Sequence, residues 1–151
     1  AIVGDGPERG AIMAEAERFG IADRVMMPGV LRDPARYIRL FDIFALSSDS
    51  EQYPIALLEA MTSAIPVVST DVGDVKNIVA RENRPFIVPR TDEASLAQAI
   101  RELANDAGLR EKLGTANRAL ACALYDEETM FARYRQLYGS AMKRADFARQ
   151  S

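Results

Sequence analysis

The sequence predicts an α/β fold, a parallel sheet flanked by helices with further helices at the C-terminal end. Short apolar, β-branched runs alternate with helical patterns through the first ninety residues. Runs such as Pro66-Val-Val-Ser69 have no polar face, as expected of strands covered on both sides. From Asp92 onward the apolar spacing is helical only. Alternation of this kind implies right-handed crossovers between parallel strands. No internal repeat, low-complexity tract or linker interrupts the chain, so one domain is expected over 1–151.

Ala1 to Gly4 reads as the end of a buried strand, and Gly4-Asp5-Gly6-Pro7 as a turn. Pro7 suits a helix start, where its missing N–H costs nothing. Ile12, Met13, Ala16 and Phe19 give that helix an apolar stripe, and Gly20 ends it. Arg24 to Met27 is a second short strand, stopped by Pro28-Gly29. Asp33 is expected to cap a helix with Pro34 at its start and Tyr37, Leu40 and Phe41 on one side. A strand over Asp42 to Leu46, a polar loop over Ser47 to Tyr53 and a helix from Pro54 to about Ser63 follow. Pro66 to Ser69 is a strand, Asp71 to Asp74 a turn, Val75 to Ala80 a short helix and Pro85 to Val88 the last strand. Asp92 caps an amphipathic helix with Leu96, Ile100 and Leu103 at i, i+4 and i+7. Helices over Leu109 to Leu124 and Glu127 to Arg144 complete the chain.

Composition removes several functional classes. The chain has 151 residues, 48% hydrophobic and 27% charged, which fits an ordinary globule with a single core. A net charge of -3 and a pI near 5.1 argue against nucleic acid as a partner. The absence of histidine excludes His-based triads and His zinc sites. The single cysteine, Cys122, allows no internal disulfide and is read as a small packing residue, which points to a cytoplasmic location. No run approaches the roughly 20 apolar residues of a membrane span, and no signal peptide is seen. The chain opens inside a strand, Ala1-Ile-Val-Gly, without Met. That start predicts a piece of a longer protein.

The chemistry is concentrated in Ser47-Ser-Asp-Ser-Glu51-Gln-Tyr-Pro54-Ile-Ala-Leu-Leu-Glu59-Ala-Met61. This segment follows a strand and opens a helix, the place where open α/β sheets bind ligands. The helix start offers the unpaired N–H groups of Ile55 and Ala56 and a positive dipole end, a seat for phosphate. Glu51 just before the helix could simply favour the dipole. Glu59 lies among Ala56, Leu57, Leu58, Ala60 and Met61, and a Glu in such surroundings needs a partner. Its two acceptor oxygens suit a vicinal diol such as the ribose hydroxyls.

Glu51, seven residues, then Glu59 resembles the E-x7-E motif of the retaining GT-B glycosyltransferases called "glycosyl transferases group 1". Ile2-Val-Gly-Asp-Gly-Pro7, Asp23-Arg-Val25 with Gly29, Tyr37 followed by Asp42, Leu58-Glu-Ala-Met61, Pro66-Val-Val68 and Thr70-Asp-Val-Gly73 resemble that family in order and spacing. The resemblance covers roughly residues 1–90. It implies a Rossmann-like domain, the C-terminal, donor-binding half of a GT-B fold, whose acceptor domain is not in this chain. It also implies transfer of a hexose-type sugar, with retention, from a UDP-, GDP- or ADP-sugar to a glycan or lipid acceptor. No metal or other cofactor is expected, and peripheral membrane association of the full-length enzyme fits such acceptors. By resemblance Glu51 contacts the donor sugar as the catalytic-site carboxylate, and Glu59 grips ribose. Ile55 and Ala56 hold the distal phosphate through their N–H groups. Leu31 reads the base through its main chain, and Gly6, in a turn beside the cleft, is expected to contact the substrate.

Two departures stand out. Glu51-Gln-Tyr-Pro54 lacks the glycines many members carry, so Tyr53 is expected to narrow the sugar pocket or stack on the sugar. Thr62-Ser-Ala64 replaces a small-small-Gly helix end. By resemblance the family's phosphate-binding Arg and Lys lie upstream of Ala1, beside the domain's first strand, so this chain is expected to lack a central strand and, alone, to be inactive.

Other readings compete. Gly4-Asp5-Gly6-Pro7-Glu8-Arg9-Gly10 departs from a dinucleotide-binding loop at Arg9 and lacks the later acidic residue, which favours a plain strand-to-helix turn. Arg32, Arg36 and Arg39 read as a solvated helix face, and Arg81, Arg84 and Arg90 as cations flanking the last strand. Tyr125, Tyr134 and Tyr138 read as packing residues. The resemblance implies that the final helix, Glu127 to Arg144, exposes an apolar face, because in that family it braces the N-terminal domain. The alternative functions are a non-catalytic nucleotide- or sugar-binding module and a sugar-nucleotide epimerase of the same architecture.

Overall fold

The structure, a computed structural model, describes residues 1–142. The end of the expected final helix, residues 143 and 144, lies outside the described residues. The chain forms two compact units, Ala1–Arg36 and Tyr37–Ser151.

In the first unit, α1 spans Arg9–Arg18 and a single 3₁₀ turn spans Ala22–Arg24. The two expected strands are reduced to one parallel bridge between Val3 and Gly29. The Ile2 N–H donates to the Met26 carbonyl at 2.8 Å and the Gly4 N–H to the Gly29 carbonyl at 2.9 Å. A lone pair of extended segments is marginal without a third strand, which accounts for the shortened ladder. The stripe on α1 also differs from expectation: only Ala16 is buried, while Phe19 is exposed, its ring 4.4 Å from the Arg18 guanidinium carbon. Arg9 Nη2 donates to the Met27 carbonyl at 2.9 Å, so the Gly-rich turn is tied by the arginine that breaks the dinucleotide pattern. Asp33 engages the Arg36 side chain at 2.7 Å, at the start of α2, Ala35–Ile38. That helix is shorter than expected and buries Ile38, while Tyr37 and Leu40 are exposed.

The second unit holds a three-stranded parallel sheet in the order β1 (Phe44–Leu46), β2 (Val67–Thr70), β3 (Ile87–Val88). Phe44 faces Val67 in one register, and Ser69 faces Ile87 in the other. All four residues of β2 are buried. Alternation sends Val67 into one apolar cluster and Val68 into another on the opposite face. The first cluster is supplied by α3 (Ile55–Thr62) through Leu57, Ala60 and Met61, and by α4 (Val75–Ile78). The second is covered by α5 (Glu93–Asn105) through Ala99 and Leu103, and by α6 (Ala107–Leu124) through Leu113. Asp92 caps α5 as expected, its Oδ1 accepting the Ser95 N–H at 2.9 Å. These two hydrogen bonds from Ser95, hydroxyl and amide, hold the Asp92 carboxyl below its ordinary range.

β3 begins two residues later than β2, which would leave the inward-facing backbone of Val67 unpaired. Asn83, fully buried in the 3₁₀ segment Arg81–Phe86, fills the gap. Its Oδ1 accepts the Val67 N–H at 3.0 Å, and its Nδ2 donates to the Val67 carbonyl at 2.7 Å. Asn117 of α6, also fully buried, donates to Asn83 Oδ1 at 2.8 Å and accepts the Ala80 N–H at 3.1 Å. One side-chain amide therefore substitutes for a strand neighbour, and a second one anchors it to α6.

The helix α7, Glu127–Ala141, packs little of its surface. Met130, Phe131, Tyr134, Leu137 and Tyr138 are exposed, in line with the apolar face that the family resemblance implies. Tyr134 and Tyr138 stack on each other, with centroids 6.2 Å apart, instead of joining a core. Cys122 corrects another expectation, since it is exposed. An open groove of about 630 Å³ runs between β3, α5 and α6, lined by Phe86, Ile87, Ala99 and Leu113 among others. It lies away from Glu51 and Glu59.

Candidate functional site

β1 delivers the chain to the C-terminal edge of the sheet, and the loop from Ser47 leads into α3. Pro54 is the N-cap of α3, with φ -70° and ψ 112°. A proline there starts the helix without wasting a donor. No side chain caps this helix, and no acidic residue stands in its first turn. The Leu57 N–H is spent on the Pro54 carbonyl at 3.1 Å. The Ile55 and Ala56 N–H groups have no partner among the described residues. By contrast α5, α6 and α7 are each capped by an aspartate, Asp92, Asp106 and Asp126. Unpaired N–H groups and the helix dipole make the start of α3 attractive to an anion.

Glu51 does not cap α3. Its Oε1 accepts the Ser48 hydroxyl at 2.8 Å. Glu59 is partly buried, and no hydrogen bond or ion pair engages its carboxylate among the described residues. It stands at i+4 from Ile55 and i+3 from Ala56, and so on the same side of the helix. Helical side chains lean toward the N-terminus, which carries this carboxylate back along the first turn. Leu57, Ala60 and Met61 occupy the opposite, core-facing side. Neither glutamate is neutralised by an arginine among the described residues.

Tyr53 contacts the Tyr125 ring edge-on, with centroids 6.2 Å apart and planes at 79°. Partial desolvation, then Tyr125 and the nearby Asp74, push its phenol above the ordinary tyrosine value. Tyr125 itself packs against the first apolar cluster, as expected of a packing residue. Of the expected site residues, Glu51, Tyr53, Ile55, Ala56 and Glu59 all stand in the second unit, around one helix start. Gly6 and Leu31 fall in the first unit. Gly6 is exposed in the turn before α1, and Leu31 is partly buried after Gly29.

Sequence reasoning missed the residues that hold this loop. Thr70 at the end of β2 donates its hydroxyl to the Ser48 carbonyl at 2.6 Å, and Arg90 Nη1 donates to the Asp49 carbonyl at 3.1 Å. Arg90 was legible only as a cation flanking the last strand. Asn117 left a faint signal, a polar residue on the i, i+4, i+8 stripe of Leu113 and Ala121.

No group of three or more Cys, Asp or Glu among the described residues could hold a metal ion. No described helix is long and apolar enough to cross a membrane.

Residues 1–106 match the family model described as "Glycosyl transferases group 1". The chain belongs to this family. It is 25% identical over 142 residues to the N-acetyl-alpha-D-glucosaminyl L-malate synthase of Bacillus anthracis, covering 94% of this chain and 37% of that protein. It is 32% identical over 114 residues to the 2-deoxystreptamine N-acetyl-D-glucosaminyltransferase of Streptomyces fradiae, covering 74% of this chain and 27% of that protein. Among solved structures, the sucrose-phosphate synthase of Thermosynechococcus elongatus superposes with a TM-score of 0.76 at 27% identity, over 91% of this chain and 38% of that one. Anabaena Alr3699/HepE in complex with UDP superposes with a TM-score of 0.83 at 22% identity, over 91% of this chain and 40% of that one. The fold is therefore similar to a GT-B glycosyltransferase domain, and the chain spans well under half the length of these relatives.

Proposed function

We propose that this chain is the donor-binding part of a hexosyltransferase that takes a nucleotide-sugar and passes the sugar, with retention, to a glycan or lipid acceptor. The observation that carries the reading is the start of α3, where two unpaired N–H groups, Ile55 and Ala56, are bracketed by Glu51 and Glu59. A diphosphate seats at the N–H groups, Glu59 takes the ribose hydroxyls, and Glu51 takes hydroxyls of the sugar. Tyr53 flanks the sugar side. As the bond to the leaving diphosphate breaks, the helix dipole and these N–H donors meet the charge that develops on it. This division of labour needs no metal. Family membership supports the transferase class, and complexes of structural neighbours with UDP support a nucleotide partner. Acceptor binding belongs to parts of the full-length protein beyond these residues, so the isolated chain is expected to transfer no sugar.

Calorimetric titration of the full-length protein with UDP, GDP and ADP and with their sugar conjugates tests the reading. Glu59→Ala removes charge-assisted hydrogen bonds and is expected to weaken nucleotide binding by roughly 10- to 100-fold, with an unchanged circular dichroism spectrum. Unaltered affinity in that variant would sink the assignment.

A further inference from the structure

The loop carrying Glu51 is held by residues at or just beyond the ends of β2 and β3 and by the turn before α4. The Thr70 hydroxyl donates to the Ser48 carbonyl at 2.6 Å, the Arg90 guanidinium donates to the Asp49 carbonyl at 3.1 Å, and the Asp74 N–H donates to the Gln52 carbonyl at 3.1 Å. Gly73 lets the turn come this close. Its φ is +53°, and a Cβ built on it would lie 2.3 Å from the Glu51 carbonyl oxygen and 2.7 Å from that of Gln52. Ser48 then passes this backbone order to a side chain, because its own hydroxyl donates to Glu51 Oε1 at 2.8 Å. Thr70 places the Ser48 backbone, and Ser48 selects the Glu51 rotamer. One carboxylate oxygen is thereby occupied, and the other, Oε2, accepts no hydrogen bond among the described residues.

We propose that Ser48 and Thr70 are positioning residues for Glu51, aiming its free oxygen at the sugar of the donor while leaving recognition of the nucleotide untouched. The inference rests on the reading of Glu51 given above. Its physical basis is preorganisation: a carboxylate already held in one rotamer loses less entropy when the sugar binds, and a carboxylate left to swing loses affinity without losing a direct contact.

The test compares UDP-glucose with UDP, or GDP-mannose with GDP if the protein prefers guanine, by calorimetry on the full-length protein. Ser48→Ala is expected to weaken the sugar nucleotide by about tenfold, while the plain diphosphate changes by less than about twofold. Thr70→Val is expected to act in the same direction, and Thr70→Ser, which keeps the hydroxyl, to restore wild-type selectivity. Equal weakening of both ligands by Ser48→Ala, or no change in either, overturns the proposal. If Glu51→Gln lowers sugar-nucleotide affinity but Ser48→Ala does not, the positioning role alone falls. If Glu51→Gln leaves that affinity unchanged, or the wild-type protein binds no UDP-, GDP- or ADP-sugar, the underlying reading of Glu51 falls as well.

Discussion

Ala64 shows how one residue can carry strain where the fold demands a particular backbone. It follows α3 with φ +58°, in the left-handed region. The Ile65 N–H donates to the Ala60 carbonyl at 3.0 Å and the Ala64 N–H to the Met61 carbonyl at 3.0 Å, the paired bonds of a Schellman end. Glycine holds that conformation without the penalty an L side chain meets there. Ala64→Gly is expected to stabilise the protein by about 0.5–1 kcal/mol once the extra freedom of glycine in the unfolded chain is deducted, read as a raised thermal midpoint. Gly73 is the opposite case. Gly73→Ala combines a left-handed backbone with a Cβ thrust against the Glu51 and Gln52 carbonyls, and is expected to cost about 1–3 kcal/mol. Urea unfolding checks it, and a loss below about 0.5 kcal/mol would show that the loop gives way freely.

At the scale of elements, the central strand depends on side chains as well as on its neighbours. Asn83→Ala strips both partners from the buried Val67 backbone, with an expected cost of about 3 kcal/mol in chemical denaturation. Asn83 and Asn117 share a hydrogen bond, so the double variant is expected to cost clearly less than the sum of the two single ones. The cap of α5 adds a pH dependence. Asp92 has a folded pKa below its ordinary value of 3.8, so its contribution is fully present above that value and fades as the pH falls through the depressed folded one. An acid titration followed by circular dichroism is expected to show helix loss at a higher pH for Asp92→Ala than for the wild type.

For the molecule as a whole, order follows burial. The elements around β2 are closed on both faces by apolar clusters, whereas α7 leaves five large apolar side chains exposed. Backbone amides of α7 are therefore expected to exchange with deuterium far faster than those of α3 and α6. Equal protection across these helices would contradict that expectation. The site belongs to the ordered end of this range: Glu51 and Glu59 sit around a helix whose inner face is buried in the first apolar cluster.

Spacing along the chain sufficed for whatever depends on near neighbours. The alternation of strands and helices, the Asp92 cap, the start of α3 at Pro54 and the two glutamates around it were all legible, because each is decided within one or two turns of backbone. Tertiary structure alone decided the rest. The partner of Val67 lies 16 residues away in Asn83, Ile65 meets Asn117 across 52 residues, and Ser48 meets Thr70 across 22. The strands expected at Ala1 to Gly4 and Arg24 to Met27 shrank to a single bridge, because a ladder needs neighbours that no local pattern can supply. Tyr134, Tyr138 and Cys122 looked like core and are exposed, because helical spacing records which face is apolar and not whether anything covers it.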